Sequence, residues 1–198
     1  MKILNLYAGI GGNRKLWGDH HEIVAVEQVP EIAKVYETLY PLDQMIVGDA
    51  HQYLLEHFKE FDFIWSSPPC PSHSRTSTSL VGWGIYRFPD MSLYEEIIFL
   101  KHFFKGKWVV ENVKPYYEPL IQPTIELDRH LFWSNFDITP FSVQRDYDVS
   151  RATKEVLTQH HGLVLPPNTK NQRKLLRNAV YPPLGRHILD CHPTLLSP

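Results

Sequence analysis

This chain of 198 residues predicts an α/β fold: a mostly parallel sheet with helices on both faces. Three observations carry that expectation. Short apolar runs alternate with segments of helical spacing. The runs are nearly continuous in hydrophobic residues, the pattern of strands buried on both faces. Glycines, carboxylates or prolines follow the runs directly, at the strand ends where open α/β sheets bind ligands. Hydrophobic residues make up 43% and charged residues 21%, enough apolar material for one domain and too much for a disordered chain. No stretch approaches the roughly 18 consecutive apolar residues of a membrane span. The first residues, MKILNLYAGIGG, break into glycine too early for a secretory signal, so a cytoplasmic protein with its N-terminus intact is expected.

Residues 2–7 (KILNLY) read as a strand ending in the turn Ala8-Gly9-Ile10-Gly11-Gly12, and residues 13–17 as a helix start. Residues 23–27 (IVAVE) form a second strand. Pro30 suits the first helical position, and the helix over 31–40 stops at Pro41. Residues 45–47 make a short strand before Gly48-Asp49, and 51–58 have helical spacing. Residues 61–66 (FDFIWS) are a strand running into Ser67-Pro68-Pro69-Cys70. Residues 92–104 read as a helix and 107–113 (KWVVENV) as a strand. Late strands are expected over 130–133 and 137–143.

The chemistry lies at the strand ends. The first glycine cluster departs from the dinucleotide fingerprint, because its third glycine would fall at Arg14. Glycines there still allow a ligand close to the backbone or serve a tight structural turn. Glu27 is placed to accept hydrogen bonds from both hydroxyls of a ribose, or to enter a helix as a solvated residue. Asp49 is placed to bind an adenine amino group or to cap the next helix. Together they point to an adenosine-containing ligand without a phosphate requirement, which favours S-adenosylmethionine over a nicotinamide cofactor. Cys70 stands between prolines, before a polar loop (72–84) whose Gly82 and Gly84 are candidate hinges; it is a nucleophile candidate or a small buried hydrophobe. Glu111 ends an apolar strand, where a carboxylate needs a partner or a raised pKa. A cysteine nucleophile beside a carboxylic acid suits conjugate addition to a heterocycle.

These segments, in this order, resemble the DNA cytosine-5 methyltransferase family. LYAGIGGNRKLWG is similar to its first cofactor motif, Glu27 to its ribose acid, Gly48-Asp49 to its adenine contact, SSPPCPSHS to its proline-cysteine motif and ENV to its glutamate motif. Residues 177–183 (RNAVYPP) resemble its last motif, a loop and helix closing over the cofactor. The resemblance covers residues 3–133 and 172–189. It implies a Rossmann-like methyltransferase fold that uses S-adenosylmethionine and leaves S-adenosylhomocysteine. Cofactor contacts are expected from Tyr7, Ala8, Gly9, Ile10, Gly11, Gly12, Glu27, Gln28, Asp49, Ala50, Pro69, Asn178 and Val180. It further implies that cytosine is flipped from the duplex, that Cys70 adds to C6 while Glu111 shares a proton with N3, and that Asn112 orients the pocket. Arg129 in ELDRHLFW stands where the family's second arginine contacts cytosine. The first arginine is replaced by Leu127, and Gln144-Arg145-Asp146 is a rival placement.

The departure from the family is size. Residues 1–133 and 172–198 make the expected catalytic domain, leaving only the 38 residues 134–171 for target recognition. Such reduction resembles phage-type members, in a bacterial or phage-infected cell, with a restriction-modification setting as the other possibility. The net charge is −2, yet residues 162–189 hold Lys170, Arg173, Lys174, Arg177 and Arg186 and no acid. That stretch is either a solvated tail or a patch against phosphates. DNA contacts are expected from Ser72, Arg75, Arg145, Arg151, Lys170 and Arg173. Two cysteines and loosely spaced histidines give no metal site. The leading expectation is a methyltransferase acting on C5 of cytosine in DNA. The rivals are the same chemistry on RNA, single-stranded DNA or a nucleotide, and a weakly active DNA-binding subunit whose partner chain supplies recognition.

Overall fold

The computed structural model describes residues 1–74 and 81–191. Seven strands form one sheet: β1 (Lys2–Leu6), β2 (Glu22–Glu27), β3 (Gln44–Val47), β4 (Phe63–Ser66), β5 (Lys107–Val113), β6 (Ile125–Leu127) and β7 (His130–Ser134). Their order is β3-β2-β1-β4-β5-β7-β6, with β7 antiparallel to both neighbours and the first five strands parallel. Leu6 is level with Val26 and Ser66, so the carboxyl ends of the central strands open on one rim. The chain runs from β1 outward to β3, then returns to β4 on the other side of β1. That reversal leaves a crevice between the ends of β1 and β4, the place where such sheets hold ligands.

Among the described residues, six α-helices cover the sheet: α1 (Pro30–Leu39), α2 (Ala50–His57), α3 (Ser92–Phe103), α4 (Lys154–His161), α5 (Gln172–Asn178) and α6 (Pro182–Asp190). Alternation along the strands divides the core. Leu4, Leu6, Val24, Val26, Ile64 and Val110 meet Leu54 of α2 and Leu93, Ile97 and Leu100 of α3. Ile3, Ile23, Phe63, Trp65, Val109 and Phe132 meet Trp17 and the Leu184, Ile188 and Leu189 side chains of α6. Ile3, Phe63 and Phe132 are fully buried, and each such side chain stabilises the fold by about 1.5–3 kcal/mol.

Two expectations change. Residues 13–17 form only a short 3-10 turn (Arg14–Leu16). Asn13 is bonded to Asn5 in the core, and α6 lies against the turn, with its Gly185 carbonyl accepting from Trp17 Nε1 (3.1 Å). Residues 137–143 are not a strand; Ile138 packs into the second face, while Pro140 offers no backbone donor. The remaining strand is β6, three residues long and held by its hairpin with β7. The 134–171 segment contributes to the packed interior. Ala152, Leu157, Leu163 and Leu165 share one apolar cluster with Ile10, Val35, Leu176 and Ala179.

Candidate active site

Beyond Ser66 the stiff Pro68-Pro69 pair carries the chain to Cys70, which is half-buried. Its thiol donates to the Pro68 carbonyl (3.7 Å). Asn112 is fully buried on β5 and donates its Nδ2 to the same carbonyl at 3.0 Å, while its Oδ1 accepts from Val113 N. Asn112 therefore holds the turn that presents the cysteine. Glu111, on the opposite face of β5, is 3% exposed, and His130 Nε2 stands 3.3 Å from its Oε1.

Burial pushes the Glu111 carboxyl up to about 7, against the Ser67 hydroxyl bond and the Arg129 charge, which favour the carboxylate. Burial, and then the Glu111 charge, push the Cys70 thiol up to about 12, with Arg129 acting in the other direction. The two groups are coupled: a neutral Glu111 eases ionisation of Cys70. Arg129 feels both and donates Nη2 to the Arg177 carbonyl (2.6 Å), joining this corner to the last motif. The rival Arg145 is paired with Asp128 instead.

The crevice at β1–β3 has a different character. Gly9 takes φ +55°, and a Cβ there would meet nothing within 4 Å, so open space lies over this turn. The Glu27 carboxylate is fixed by Gly9 N (3.0 Å) and Val29 N (2.9 Å), one bond to each oxygen. Asp49 Oδ1 accepts from Gln52 N, so Asp49 caps α2 and stands at the end of β3. An anchored carboxylate at β2, a second at β3 and an open glycine turn suit the ribose, base and chain of an adenosine ligand.

The other expected cofactor residues lie in varied surroundings. Ala8, Ile10 and Ala50 are buried, their side chains in the core. Gly11 lies under Tyr36 and Tyr40, and a Cβ on Gly12 would strike the Val180 carbonyl and Ala179 Cβ. These two glycines serve packing: Gly12 lets the last motif seat on the first. Tyr7 turns its hydroxyl to Glu96 (2.5 Å). Gln28, Pro69 and Asn178 are exposed, and Val180 is buried against the Trp17 cluster.

The expected DNA contacts also divide. Arg173 donates to the Ala152 and Ser150 carbonyls, so both it and the paired Arg145 hold the 134–171 segment in place. Ser72 Oγ accepts from Asp90 N. Arg151 and Lys170 are exposed, and Arg75 lies outside the described residues. His187 and Cys191 approach each other at 3.7 Å beside Thr139, and His192 lies outside the described residues. Among the described residues no group of three or more His, Cys, Asp or Glu is arranged to hold a metal. No helix among them is long and apolar enough to cross a membrane.

Sequence reasoning missed Glu96, a fully buried carboxylate that accepts from Tyr7 and Ser66 and lies 3.1 Å from His51 Nδ1. It ties together the ends of β1 and β4 and the start of α2. Its signal was present: Leu93, Glu96, Ile97 and Leu100 form one helical stripe with a carboxylate set into it. Trp83, Tyr86 and Phe88 were missed too, three largely exposed aromatics at the end of the cysteine loop and just beyond it.

A family model for the C-5 cytosine-specific DNA methylase matches residues 1–115, more than half of the chain. The chain belongs to that family. The strand order accords with a Rossmann-like methyltransferase fold. Solved structures similar to it include a mutant of DNMT2 from Spodoptera frugiperda, at 26% identity and a TM-score of 0.40, covering 57% of this chain and 35% of that one. Another is a SAM-dependent methyltransferase from Agrobacterium tumefaciens, at 14% and 0.44, covering 59% and 40%. A third is Aeropyrum pernix fibrillarin with natively bound S-adenosyl-L-methionine, at 14% and 0.38, covering 57% and 45%. The matches thus span less than half of each of these proteins. No curated protein matches the chain.

Proposed function

We propose that the protein methylates C5 of cytosine in DNA through a covalent bond between Cys70 and C6. The observation that supports this best is the meeting of Cys70, Glu111 and Arg129 at the rim of β4 and β5, in a chain of the cytosine-5 methylase family. The Cys70 thiol gives its proton to solvent water, and the thiolate forms a bond to C6 as the Glu111 proton passes toward N3, so negative charge does not build up on the ring. C5 then becomes the nucleophile and takes the methyl group. The C5 proton leaves to solvent water, the S–C6 bond breaks, and N3 returns its proton to Glu111. A carboxyl group with a midpoint near neutrality is suited to both directions of that transfer. Asn112 keeps Cys70 in place through the Pro68 carbonyl, and Arg129 faces the cytosine.

S-adenosylmethionine, when bound, supplies an electrophilic methyl group and departs as S-adenosylhomocysteine. Glu27 would hold its ribose, Asp49 its adenine, and the Gly9 turn its chain, while residues 177–183 cover it. Residues 134–171 act as a reduced recognition segment. Being small, it reads a short target. A second reading, the same chemistry on single-stranded DNA or RNA, draws on the exposed Trp83, Tyr86 and Phe88, since aromatic side chains stack on unpaired bases.

DNA containing 5-fluorocytosine tests the proposal, because fluorine at C5 cannot leave as a proton. With S-adenosylmethionine present, a gel-stable adduct should form with the wild type and vanish in Cys70→Ala. An adduct that persists in Cys70→Ala moves the nucleophile elsewhere. An adduct on single strands alone selects the second reading. An inactive chain rescued by another protein supports a recognition subunit.

A further inference from the structure

We propose that Glu96 is a positioning residue that holds the cofactor turn and the cysteine turn at a fixed separation, through hydrogen bonds to Tyr7 and Ser66. This deepens the proposed function and rests on it for what the two turns hold.

The need for such a tie comes from the sheet. β1 and β4 pair in register up to Leu6 and Ser66, and beyond them the chains part. Tyr7 takes φ +55°, a left-handed conformation that an aromatic residue keeps only where its surroundings enforce it. It turns the chain toward β2, where Ala8 N donates to the Val26 carbonyl (2.9 Å) and Gly9 N to Glu27. On the other side Ser67 N reaches the Leu6 carbonyl at 3.4 Å, and the chain then leaves through Pro68-Pro69 to Cys70. Proline offers no backbone donor, so the cysteine turn cannot extend the ladder. Backbone pairing ends where the two halves of the site begin, and a side chain has to span them.

Glu96 spans them. It stands on α3, whose Leu93, Ile97 and Leu100 are packed in the core, so a rigid element carries its carboxylate. That carboxylate is fully buried. Oε1 accepts from the Tyr7 hydroxyl (2.5 Å) and meets His51 Nδ1 (3.1 Å), and Oε2 accepts from the Ser66 hydroxyl (2.6 Å). Three partners offset the cost of burying the group, and hydrogen bonds to a carboxylate are the short, strong kind.

Each partner stands beside a functional position. Tyr7 is two residues before Gly9, Ser66 four before Cys70, and His51 two after Asp49. An apolar residue at position 96 would complete the helical stripe but leave the two hydroxyls and the imidazole without this acceptor. One carboxylate thus sets the Gly9 turn, the Asp49 cap and the cysteine turn relative to one another. Transfer between two held groups is sensitive to such spacing, since a displacement of about 1 Å lowers a rate about a hundredfold.

Single-bond variants separate the two arms. In Tyr7→Phe, calorimetry should show S-adenosylhomocysteine binding weakened about tenfold, while iodoacetamide reacts with Cys70 as in the wild type. In Ser66→Ala that binding should hold, while Cys70, released from its turn, reacts about threefold faster relative to Cys191, read by mass spectrometry. The kcat of methyl transfer should fall about tenfold in each, and little further in the double variant, because either break alone frees the separation. Glu96→Ala should show both changes. Glu96→Gln, which keeps the shape and an acceptor for Tyr7, should recover both. If Glu96→Ala fails to fold, the double variant carries the test. Single losses that multiply in the double variant, or a glutamine no better than alanine at position 96, overturn the proposal. So do variants that change only the melting temperature. The binding and thiol measurements need no DNA: a chain that shows their split yet methylates no cytosine supports the tie and counts against the proposed function.

Discussion

A carboxyl group whose protonation midpoint rises from 4.5 to about 7 on folding lowers stability wherever the unfolded chain is ionised. Below pH 4.5 both states carry the proton and no penalty exists. The penalty grows as pH rises from 4.5 to about 7 and stays constant above. Its size is about 3 kcal/mol from the displacement of the midpoint. Glu111→Gln should therefore stabilise the protein by about that amount at pH 8 and hardly at all at pH 4, while abolishing methyl transfer; urea unfolding at the two pH values measures it. Cys70 and Glu111 stood out in the sequence because each breaks its surroundings, a cysteine among prolines and a carboxylate in an apolar strand. Glu96 did not stand out. What matters about it is the set of partners contributed by other strands and helices.

At the scale of elements, the last motif docks on the first through two glycines. A Cβ on Gly185 of α6 would lie 2.5 Å from the Asn13 carbonyl oxygen, and one on Gly12 would meet the Val180 backbone. Gly185→Ala should cost about 1–3 kcal/mol through forced separation of α6 from the 3-10 turn. It should also weaken S-adenosylhomocysteine binding, because residues 177–183 would be displaced with it; calorimetry read beside a thermal melt separates the two effects. A melt and an affinity both unchanged in Gly185→Ala would refute this docking. Arg14 explains why the dinucleotide fingerprint fails here. Its guanidinium is buried and forks onto both Asp43 oxygens (2.8 and 2.9 Å), and Tyr36 donates to the same carboxylate. A residue readable only as a missing glycine is a buried ion pair that joins the first turn to the approach to β3.

For the whole molecule, two buried histidines act against Glu111. His130 and His161 are both pushed from 6.5 down to about 3, chiefly by burial. Their contribution to stability is complete above pH 6.5 and is lost as pH falls toward 3, about 2 kcal/mol each by pH 5. Glu111 makes the opposite change between 4.5 and 7. Stability should therefore peak between about pH 6 and 7 and fall more steeply on the acid side; melting temperatures across pH 4–9 check this, and a plateau extending down to pH 4 would contradict it. The charge distribution gives a second whole-molecule expectation. Lys170 and Lys174 are exposed, whereas Arg173 and Arg186 bond to backbone carbonyls. Lys170→Ala and Lys174→Ala should each flatten the salt dependence of DNA binding by about one unit of slope, similarly for all sequences. Arg173→Ala should act mainly on stability. Binding isotherms at several salt concentrations distinguish these outcomes.

By itself the sequence determined the alternation of strands and helices through β5, and the placing of Gly9, Glu27, Asp49, Cys70 and Glu111 at strand ends. Burial period and turn residues are local properties, written into runs of five to ten residues. The tertiary structure decided which charges are free, which glycines face open space and which serve packing, and that apolar residues of 134–171 pack against Ile10, Val35, Leu176 and Ala179. It also decided where the chain closes. Trp17 donates to the Gly185 carbonyl across 168 residues, and Arg129 to the Arg177 carbonyl across 48. No local pattern encodes such partners, because a backbone carbonyl looks the same at every position, and only the packed fold selects which one a buried donor meets.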